Sequence, residues 1–329
     1  MTRIALLATG GTIACRQTEH GLTPALTGAE LIRGIPMSRD AELVSRDVFS
    51  MDSSNIQPEE WAQLARAIDQ SFQDCDGVVV THGTDTMGYT AAALSYMIQK
   101  SPKPVVLTGS QKSIYNRDTD ARNNLWRAVA YACHPDAWGV QIVFDNQVIL
   151  GTRARKTRTK SFNAFSSIDY PETAMFRDRR LIQFLQRPAE YTHAVFSTAL
   201  DPNVFVLRLV PGMRADIIPM LEGRYRALVL ESFGVGGLPG GDDGAMFAAV
   251  RDWCGAGHLA VFTTQVPHEG SDLAVYEVGR AAKALPGVLE AHDMTPEATA
   301  VKLMWVLGQT TDRAEAEKLF LTPVQWDIL

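Results

Sequence analysis

Short apolar runs alternate with amphipathic segments of helical length along the first two-thirds of the chain. Ile4–Ala8, Gly77–Thr81 and Pro104–Gly109 have the length and composition of buried strands. Between the first two, Pro58–Phe72 repeats apolar residues on one helical face, and a proline suits its first turn. Strands that alternate with helices form parallel sheets with helices on both faces. We therefore expect an α/β fold.

Later segments extend this pattern and add a hairpin. Tyr89–Gln99 and Thr119–Cys133 are predicted helices. Gly139–Phe144 and Gln147–Leu150 are predicted strands, and the Asp145-Asn146 pair between them is typical of a tight turn. Residues 21–28 show no clear period and are expected to form a mobile loop.

The alternation breaks at Gln186-Arg187-Pro188-Ala189-Glu190, which predicts a linker. A chain of 329 residues is long enough for two domains. We expect an N-terminal α/β domain over residues 1–185, a linker over 186–192 and a smaller α/β domain over 193–329. The predicted strands of the smaller domain are His193–Ser197, Val204–Val210, Ala227–Glu231 and Leu259–Thr263. Its predicted helices are Ala215–Leu221, Asp243–Cys254, Leu273–Ala284 and Thr295–Leu307.

The charge balance limits the classes of partner. The net charge is −6, whereas general nucleic-acid and membrane binders are usually basic. No apolar run approaches the roughly 18–20 residues that span a bilayer. The apolar run at the start is too short for a signal peptide and leads directly into a threonine motif. We expect a cytoplasmic protein with no nucleic-acid or membrane partner.

The cysteines give no sign of a metal or redox site. They form no Cys-x-x-Cys pair and have no metal-ligand spacing with histidine. Free thiols in a reducing compartment are the simplest interpretation. We expect neither a metal nor a cofactor, and the cysteines concerned are Cys15, Cys75, Cys133 and Cys254.

Two threonines follow predicted strands in similar settings. Thr12 lies in Thr9-Gly10-Gly11-Thr12-Ile13, and Thr84 lies in Thr81-His82-Gly83-Thr84-Asp85. Ligands of open α/β sheets bind at the carboxyl ends of strands. The two motifs therefore indicate chemistry on a small polar molecule.

Thr12 admits two interpretations. A hydroxyl with a base or a polarising neighbour can be a nucleophile, and glycine amides beside it can face a developing oxyanion. The alternative is a structural glycine turn. The spacing lacks Gly-x-Gly-x-x-Gly, which disfavours a dinucleotide-binding turn.

Thr84 and Asp85 are equally open. The carboxylate can hold a substrate ammonium group or position a lysine, but both residues also favour the N-cap of the predicted helix Tyr89–Gln99. The cluster Asp52-Ser53-Ser54-Asn55 poses the same choice between binding a carboxylate and capping the following helix.

A basic run follows the predicted hairpin. Its alternation predicts an extended segment, and it lacks the aromatic residues of a nucleic-acid patch. We expect most of its charges to be solvated, with one lysine beside the second threonine acting as a base if burial lowers its pKa. The run comprises Arg153, Arg155, Lys156, Arg158 and Lys160.

Together these segments resemble the bacterial-type L-asparaginase family of threonine amidohydrolases, in particular its cytoplasmic type I branch. The two threonine motifs at this separation are highly specific, and coarser similarity extends through the whole chain. The segments that carry the resemblance are Ala8–Ala14, Asp52-Ser53-Ser54, Thr81–Met87 and Pro104–Gln111, with Asp120–Leu125, Phe162–Phe165 and Ser232–Gly236 in support.

The resemblance implies a fold and an activity. The fold is the two-domain asparaginase-like α/β fold, with a larger mixed or parallel sheet flanked by helices and a smaller parallel-sheet domain. The activity is hydrolysis of the side-chain amide of L-asparagine, with Thr12 forming an acyl-enzyme. Thr84, Asp85 and Lys156 complete the catalytic set, and Lys160 is the weaker lysine candidate. Relatives are homodimers or homotetramers without a cofactor.

The resemblance also implies an amino-acid clamp that orients the substrate. Ser53, Ser54 and Asp85 would bind the α-carboxylate and α-ammonium groups, and Gly83 would add a backbone contact. Two positions depart from the family pattern. Leu22 stands where a tyrosine usually accompanies the nucleophile, and Gly237 replaces a frequent asparagine.

Other activities remain open at the level of sequence. Glutamine, D-asparagine or another amide could be the substrate, and the loss of the tyrosine at Leu22 keeps a non-catalytic amino-acid sensor possible. A nucleotide-dependent oxidoreductase is the third class. A relative that acts on misacylated tRNA has an additional N-terminal domain, which we do not expect here because Thr12 lies so near the start.

Overall fold

An eight-stranded mixed sheet organises the N-terminal part of the chain. The computed structural model describes residues 1–18, 21–24, 26–33, 35, 41–239 and 244–329, and it divides the chain into two compact units, Met1–Thr198 and Ala199–Leu329. The described strands of the first unit are β1 (Thr2–Gly10), β2 (Cys15–Thr18), β3 (Gly21–Pro24), β4 (Ala41–Met51), β5 (Gly77–Thr81), β6 (Ile98–Gln99), β7 (Pro104–Thr108), β8 (Gly139–Phe144), β9 (Gln147–Leu150), β10 (Ala154–Lys156), β11 (Phe165–Ser167), β12 (Ala174–Arg177), β13 (Arg180–Gln183) and β14 (Val195–Phe196). The described α-helices are α1 (Gly28–Arg33), α2 (Pro58–Ser71), α3 (Met87–Met97) and α4 (Ala121–Ala132).

The sheet has the strand order β13-β12-β9-β8-β7-β5-β1-β4. Strands β4, β1, β5, β7 and β8 run parallel, and the remaining pairs are antiparallel. The central strands β5 and β7 are buried along their whole length, as parallel strands covered on both faces must be. Because β1, β5 and β7 are parallel, their carboxyl ends lie on the same side of the sheet, and the two threonine turns follow β1 and β5 there.

The β8–β9 hairpin is confirmed, and Asp145 in its turn has φ 53°, in the left-handed region. The predicted helices are close to α2, α3 and α4, although α3 ends at Met97 and the next two residues form β6. The predicted loop over 21–28 is wrong in part, because Gly21–Pro24 pairs with β2 as strand β3. Strand β4 escaped prediction because it is an edge strand with several polar residues and only partial burial.

The second unit contains a smaller parallel sheet. Its described strands are β15 (Val204–Arg208), β16 (Ala227–Ser232), β17 (Leu259–Thr264) and β18 (Val288–Glu290), paired in that order. Its described α-helices are α5 (Ala245–Gly255), α6 (Glu277–Lys283), α7 (Pro296–Gln309) and α8 (Arg313–Leu321). Leu228, Leu230 and Phe262 form part of its own core with Val250 and Trp253 of α5. The predicted fold class, a two-domain α/β protein with a larger mixed and a smaller parallel sheet, is confirmed.

Three predicted elements of this region differ. Residues 193–197 supply β14, which pairs with β6, so this strand and the proposed linker 186–192 lie within the first unit. The segment predicted as helix Ala215–Leu221 forms two 3₁₀ turns, Ala215–Ile217 and Pro219–Leu221, since a proline cannot donate the hydrogen bond of a continuous helix.

Helix α6 also begins later than predicted. Asp272 accepts a hydrogen bond from the main-chain N–H of Ala274, 2.9 Å away, and this local turn competes with helix formation before Glu277. In the part of the chain that is described, no helix is long and apolar enough to cross a membrane.

Candidate active site

The two threonine turns lie side by side because β1 and β5 are neighbours in register. Ala8 pairs with Thr81, so the turns that follow begin at the same level of the sheet. Gly11 has φ 76°, and a Cβ on it would lie 2.3 Å from the Gly83 nitrogen. Glycine is therefore required for this close approach of the two backbones.

Thr12 begins a 3₁₀ turn, Thr12–Ala14, and is half-buried. The main-chain N–H of Gly11 donates to the Met51 carbonyl over 3.1 Å, which ties the turn to the end of β4. Since the turn is held on both sides, Thr12 lies at a fixed point beside the second threonine motif.

Lys156 joins Thr84 and Asp85. Its Nζ lies 2.7 Å from Thr84 Oγ1 and 2.6 Å from Asp85 Oδ1. Thr84 is buried, the lysine side chain is 17 % exposed and the Asp85 side chain is 65 % exposed. An ammonium group can only donate, so both oxygens accept from it. The cluster is a buried hydroxyl and an open carboxylate around one cation.

Local structure explains why this lysine reaches the site. Lys156 ends β10, and β10 pairs with β11 in a short antiparallel hairpin. Lys160 lies in the connection between these strands and is exposed, so it is not the lysine beside Thr84. The alternative of helix capping does not apply to Thr84 and Asp85, because the N-cap of α3 is Thr86.

Ser53 and Ser54 are placed differently. Ser53 is buried, and a Cβ on Gly83 would lie 2.5 Å from its Oγ, so the two residues are in contact. Ser54 is exposed and donates its main-chain N–H and its hydroxyl to Asp52 Oδ1, at 2.9 and 2.8 Å. These two bonds lower the pKa of Asp52. Ser53 therefore packs against the second threonine turn at Gly83, whereas Ser54 is engaged with Asp52.

The polar cluster before α2 does not cap that helix. The N-cap is Gln57, whose main-chain N–H donates to Glu60 Oε2 over 2.8 Å. Asp52 is instead the N-cap of the short 3₁₀ turn Ser53–Asn55.

Gln111 is a site residue to which the sequence analysis assigned no role. Thr84 Oγ1 lies 3.4 Å from its Oε1, and its Nε2 donates to the Ser161 carbonyl over 3.1 Å. Because Lys156 donates to the Thr84 oxygen, the Thr84 hydroxyl must direct its own proton to another acceptor. Gln111 Oε1 is the acceptor at 3.4 Å. The signal in the sequence was a polar residue just beyond β7, at the same edge of the sheet.

Leu22 and Gly237 are the two positions that depart from the family pattern. The side chain of Leu22 lies outside the part of the chain that the structure describes, whereas Thr23 in the same strand is exposed. Gly237 closes a tight turn, donating its N–H to the Phe233 carbonyl over 2.7 Å.

No group of three or more His, Cys, Asp or Glu side chains suited to a metal ion occurs in the described ranges. The arrangement of the described residues supports acyl transfer. It combines a half-buried hydroxyl with a second hydroxyl bonded to a lysine, and it leaves a carboxylate open to a cationic ligand.

Comparisons with known proteins agree with this chemistry. Residues 3–190 match the family described as Asparaginase, N-terminal, and residues 203–320 match the Glutaminase/Asparaginase C-terminal domain. The L-asparaginase of Thermococcus kodakarensis is 40 % identical over 320 residues, which cover 96 % of each chain. The structure of the thermostable L-asparaginase from that organism superposes with a TM-score of 0.93 at 37 % identity, covering 100 % of this chain and 99 % of the other.

Two further relatives extend the range of similarity. L-asparaginase I from Vibrio cholerae has a TM-score of 0.89 at 26 % identity and covers 100 % of this chain and 99 % of its own. A glutamyl-tRNA(Gln) amidotransferase component from Metallosphaera sedula is 34 % identical over 337 residues, which cover 97 % of this chain and 75 % of that protein.

Proposed function

Since the chain belongs to the bacterial-type L-asparaginase family and is an amidohydrolase, we propose that it hydrolyses the side-chain amide of L-asparagine to L-aspartate and ammonia. The observation that carries the proposal is the Lys156 ammonium group bonded to Thr84 and Asp85 beside the Thr12 turn. The 40 % identity to an L-asparaginase over nearly the whole chain supports the choice of substrate.

The proposed reaction has two steps. Thr12 Oγ attacks the amide carbon, its proton passes to the leaving nitrogen, and ammonia departs from an acyl-enzyme ester. Water then attacks the ester carbon, releasing aspartate and restoring the hydroxyl. Thr84 and Lys156 supply the polar path along which a proton can move.

The proposed substrate contacts follow from burial and charge. The Asp85 carboxylate is open to solvent and suits the α-ammonium group of an amino acid. Ser53 and the Gly83 backbone lie together and suit the α-carboxylate. Ser54 would take part only if its hydroxyl turned away from Asp52.

The first prediction tests the nucleophile. Wild-type protein should release ammonia from L-asparagine, and Thr12→Ala should lower kcat by at least about 10³-fold, because removing a covalent nucleophile removes the acyl-enzyme route. Thr12→Ser keeps a hydroxyl and is the matched control, with much higher activity than Thr12→Ala.

Lys156→Met should also lower kcat strongly, since it leaves Thr84 and Asp85 without their common donor.

Three other results would each contradict a different part of the proposal. Ammonia release from glutamine or D-asparagine, and none from L-asparagine, would move the protein to a sibling activity. Binding of L-asparagine without turnover would favour the amino-acid sensor. Full activity of Thr12→Ala would reject Thr12 as the nucleophile.

The amidotransferase relatives favour a second candidate function, release of ammonia for transfer to an acceptor bound by a partner protein. Turnover of free L-asparagine by the purified chain distinguishes the two, because an asparaginase needs no partner. We further propose a cytoplasmic location. We also propose a homodimer or homotetramer, and light scattering would measure its mass.

A further inference from the structure

A line of buried hydrogen bonds leads from α2 to the second threonine turn. Trp61 Nε1 lies 3.0 Å from Thr90 Oγ1, Thr90 Oγ1 lies 2.9 Å from His82 Nε2, and His82 Nδ1 lies 2.6 Å from the Gly83 carbonyl oxygen. His82 and Thr90 are fully buried, and Trp61 is buried. The proposed mechanism uses none of these three side chains.

The chemistry of the groups fixes the direction of every bond. The Trp61 indole can only donate and the Gly83 carbonyl can only accept, so His82 carries its proton on Nδ1. A neutral imidazole then accepts at Nε2, and the Thr90 hydroxyl donates to it while accepting from Trp61. Burial lowers the pKa of His82 to about 4, which keeps the imidazole neutral near pH 7.

The line ends at Gly83, where the second threonine turn contacts both Ser53 and the Thr12 turn. A Cβ on Gly83 would clash with Ser53, and a Cβ on Gly11, next to Thr12, would clash with the Gly83 backbone. The chain has no cis peptide bond among the described residues, so the Gly83–Thr84 peptide is planar and trans. Holding its carbonyl toward His82 therefore directs the Thr84 N–H to the opposite side and sets the course of the chain into Thr84.

We propose that His82 is a positioning residue, which acts by holding the Gly83 carbonyl so that Thr84 meets Lys156 and stays beside Thr12. The expected effect on kcat rests on the proposed function, whereas the donor and acceptor of each hydrogen bond do not depend on that function. Misplacing a reacting group by about 1 Å can cost about 10²-fold in rate.

Two substitutions separate the two ends of the imidazole. In His82→Asn the side-chain amide nitrogen can take the place of Nδ1 and donate to the Gly83 carbonyl. In His82→Gln the amide reaches the place of Nε2, so the contact with Thr90 is retained and the donor to Gly83 is lost. Asparagine is one methylene shorter than glutamine and leaves the larger cavity at this buried site, so packing loss alone would lower the activity of His82→Asn more than that of His82→Gln.

The assay is ammonia release from L-asparagine, with kcat and KM measured for both variants and wild type at equal degrees of folding by circular dichroism. We expect His82→Gln to lower kcat about 10- to 100-fold, and His82→Asn to stay within about 3-fold of wild type. Equal kcat values for the two variants, or a lower value for His82→Asn, would overturn the inference, because the donor to the Gly83 carbonyl would then not decide the rate.

A second measurement does not depend on turnover. Nitrogen-15 NMR of the histidine side chains, with the His82 signals assigned by their loss in His82→Asn, should show a neutral Nδ1–H tautomer at pH 7. An Nε2–H tautomer or a charged ring would overturn the inference. An inactive wild type with the expected tautomer would instead reject the proposed function and leave the hydrogen-bond order established.

Discussion

At the residue scale, the site depends on side chains whose local patterns allow two roles. Thr84 and Asp85 could have capped α3, yet they bind Lys156 and leave the N-cap position to Thr86. Ser54 could have capped α2 or bound substrate, yet both its donors go to Asp52. These choices depend on partners that are distant in sequence or on competing bonds nearby.

His82 carries a prediction about pH at this scale. Its pKa is about 4 in the folded protein and about 6.5 in an unfolded chain, so the unfolded state binds more protons between these values. Stability should therefore fall as pH drops from about 6.5 to 4, by roughly 3 kcal/mol in total, with the full loss present below pH 4.

The measurement is the free energy of urea unfolding at several pH values for wild type and His82→Asn. Titration of the carboxyl groups affects both proteins and cancels in the difference. The stability advantage of wild type over the variant should shrink as the pH falls. A constant difference from pH 7 to 4 would contradict a buried, neutral His82.

At the element scale, helix boundaries depend on capping. Helix α7 begins where the sequence predicted, because Thr295 is its N-cap and accepts from the Ala298 N–H over 3.1 Å. The segment Ala215–Leu221 has no side-chain N-cap hydrogen bond and contains Pro219, so it forms 3₁₀ turns.

Thr295→Ala should lower the free energy of unfolding by about 0.5–2 kcal/mol, because it leaves a helix N–H without its acceptor. Thr295→Ser retains the hydroxyl and is the control, with a smaller loss. Chemical unfolding curves followed by circular dichroism would measure both. Equal losses in the two variants would show that the lost methyl packing, and not the cap, is responsible.

At the scale of the whole molecule, each unit has its own sheet and its own core, and neither needs a covalent crosslink. All four cysteines are free; Cys15, Cys75 and Cys254 are buried, and Cys133 is half-buried. Burial raises the pKa of Cys133 and of Cys254 to about 11, which keeps both as unreactive thiols near pH 8.

The unfolded, unreduced protein should therefore react with four equivalents of a thiol reagent, and the native protein should react far more slowly at pH 8. The thermal unfolding midpoint should be the same with and without dithiothreitol. Two missing equivalents in the unfolded protein would reveal a disulfide and contradict the free thiols.

The sequence by itself determined the elements and the kind of site. Neighbouring residues alone identify the strand Gly77–Thr81 and the helix that begins at Pro58. Backbone hydrogen bonding and burial impose a period on adjacent residues, and that period can be read from the sequence. The threonine motifs at strand ends identified the edge of the sheet, and the family resemblance named Lys156 as the partner of Thr84.

The tertiary structure decided which side chains meet. Lys156 lies 72 residues from Thr84, and only the placement of the β10–β11 hairpin brings their atoms to 2.7 Å. The contact of Gly11 with Gly83 depends on the pairing of β1 with β5. The sequence marked Gln111 only as a polar residue beyond β7, and it gave no sign that His82 bonds to Thr90 or Gln111 to Ser161, because such hydrogen bonds leave no period in the sequence.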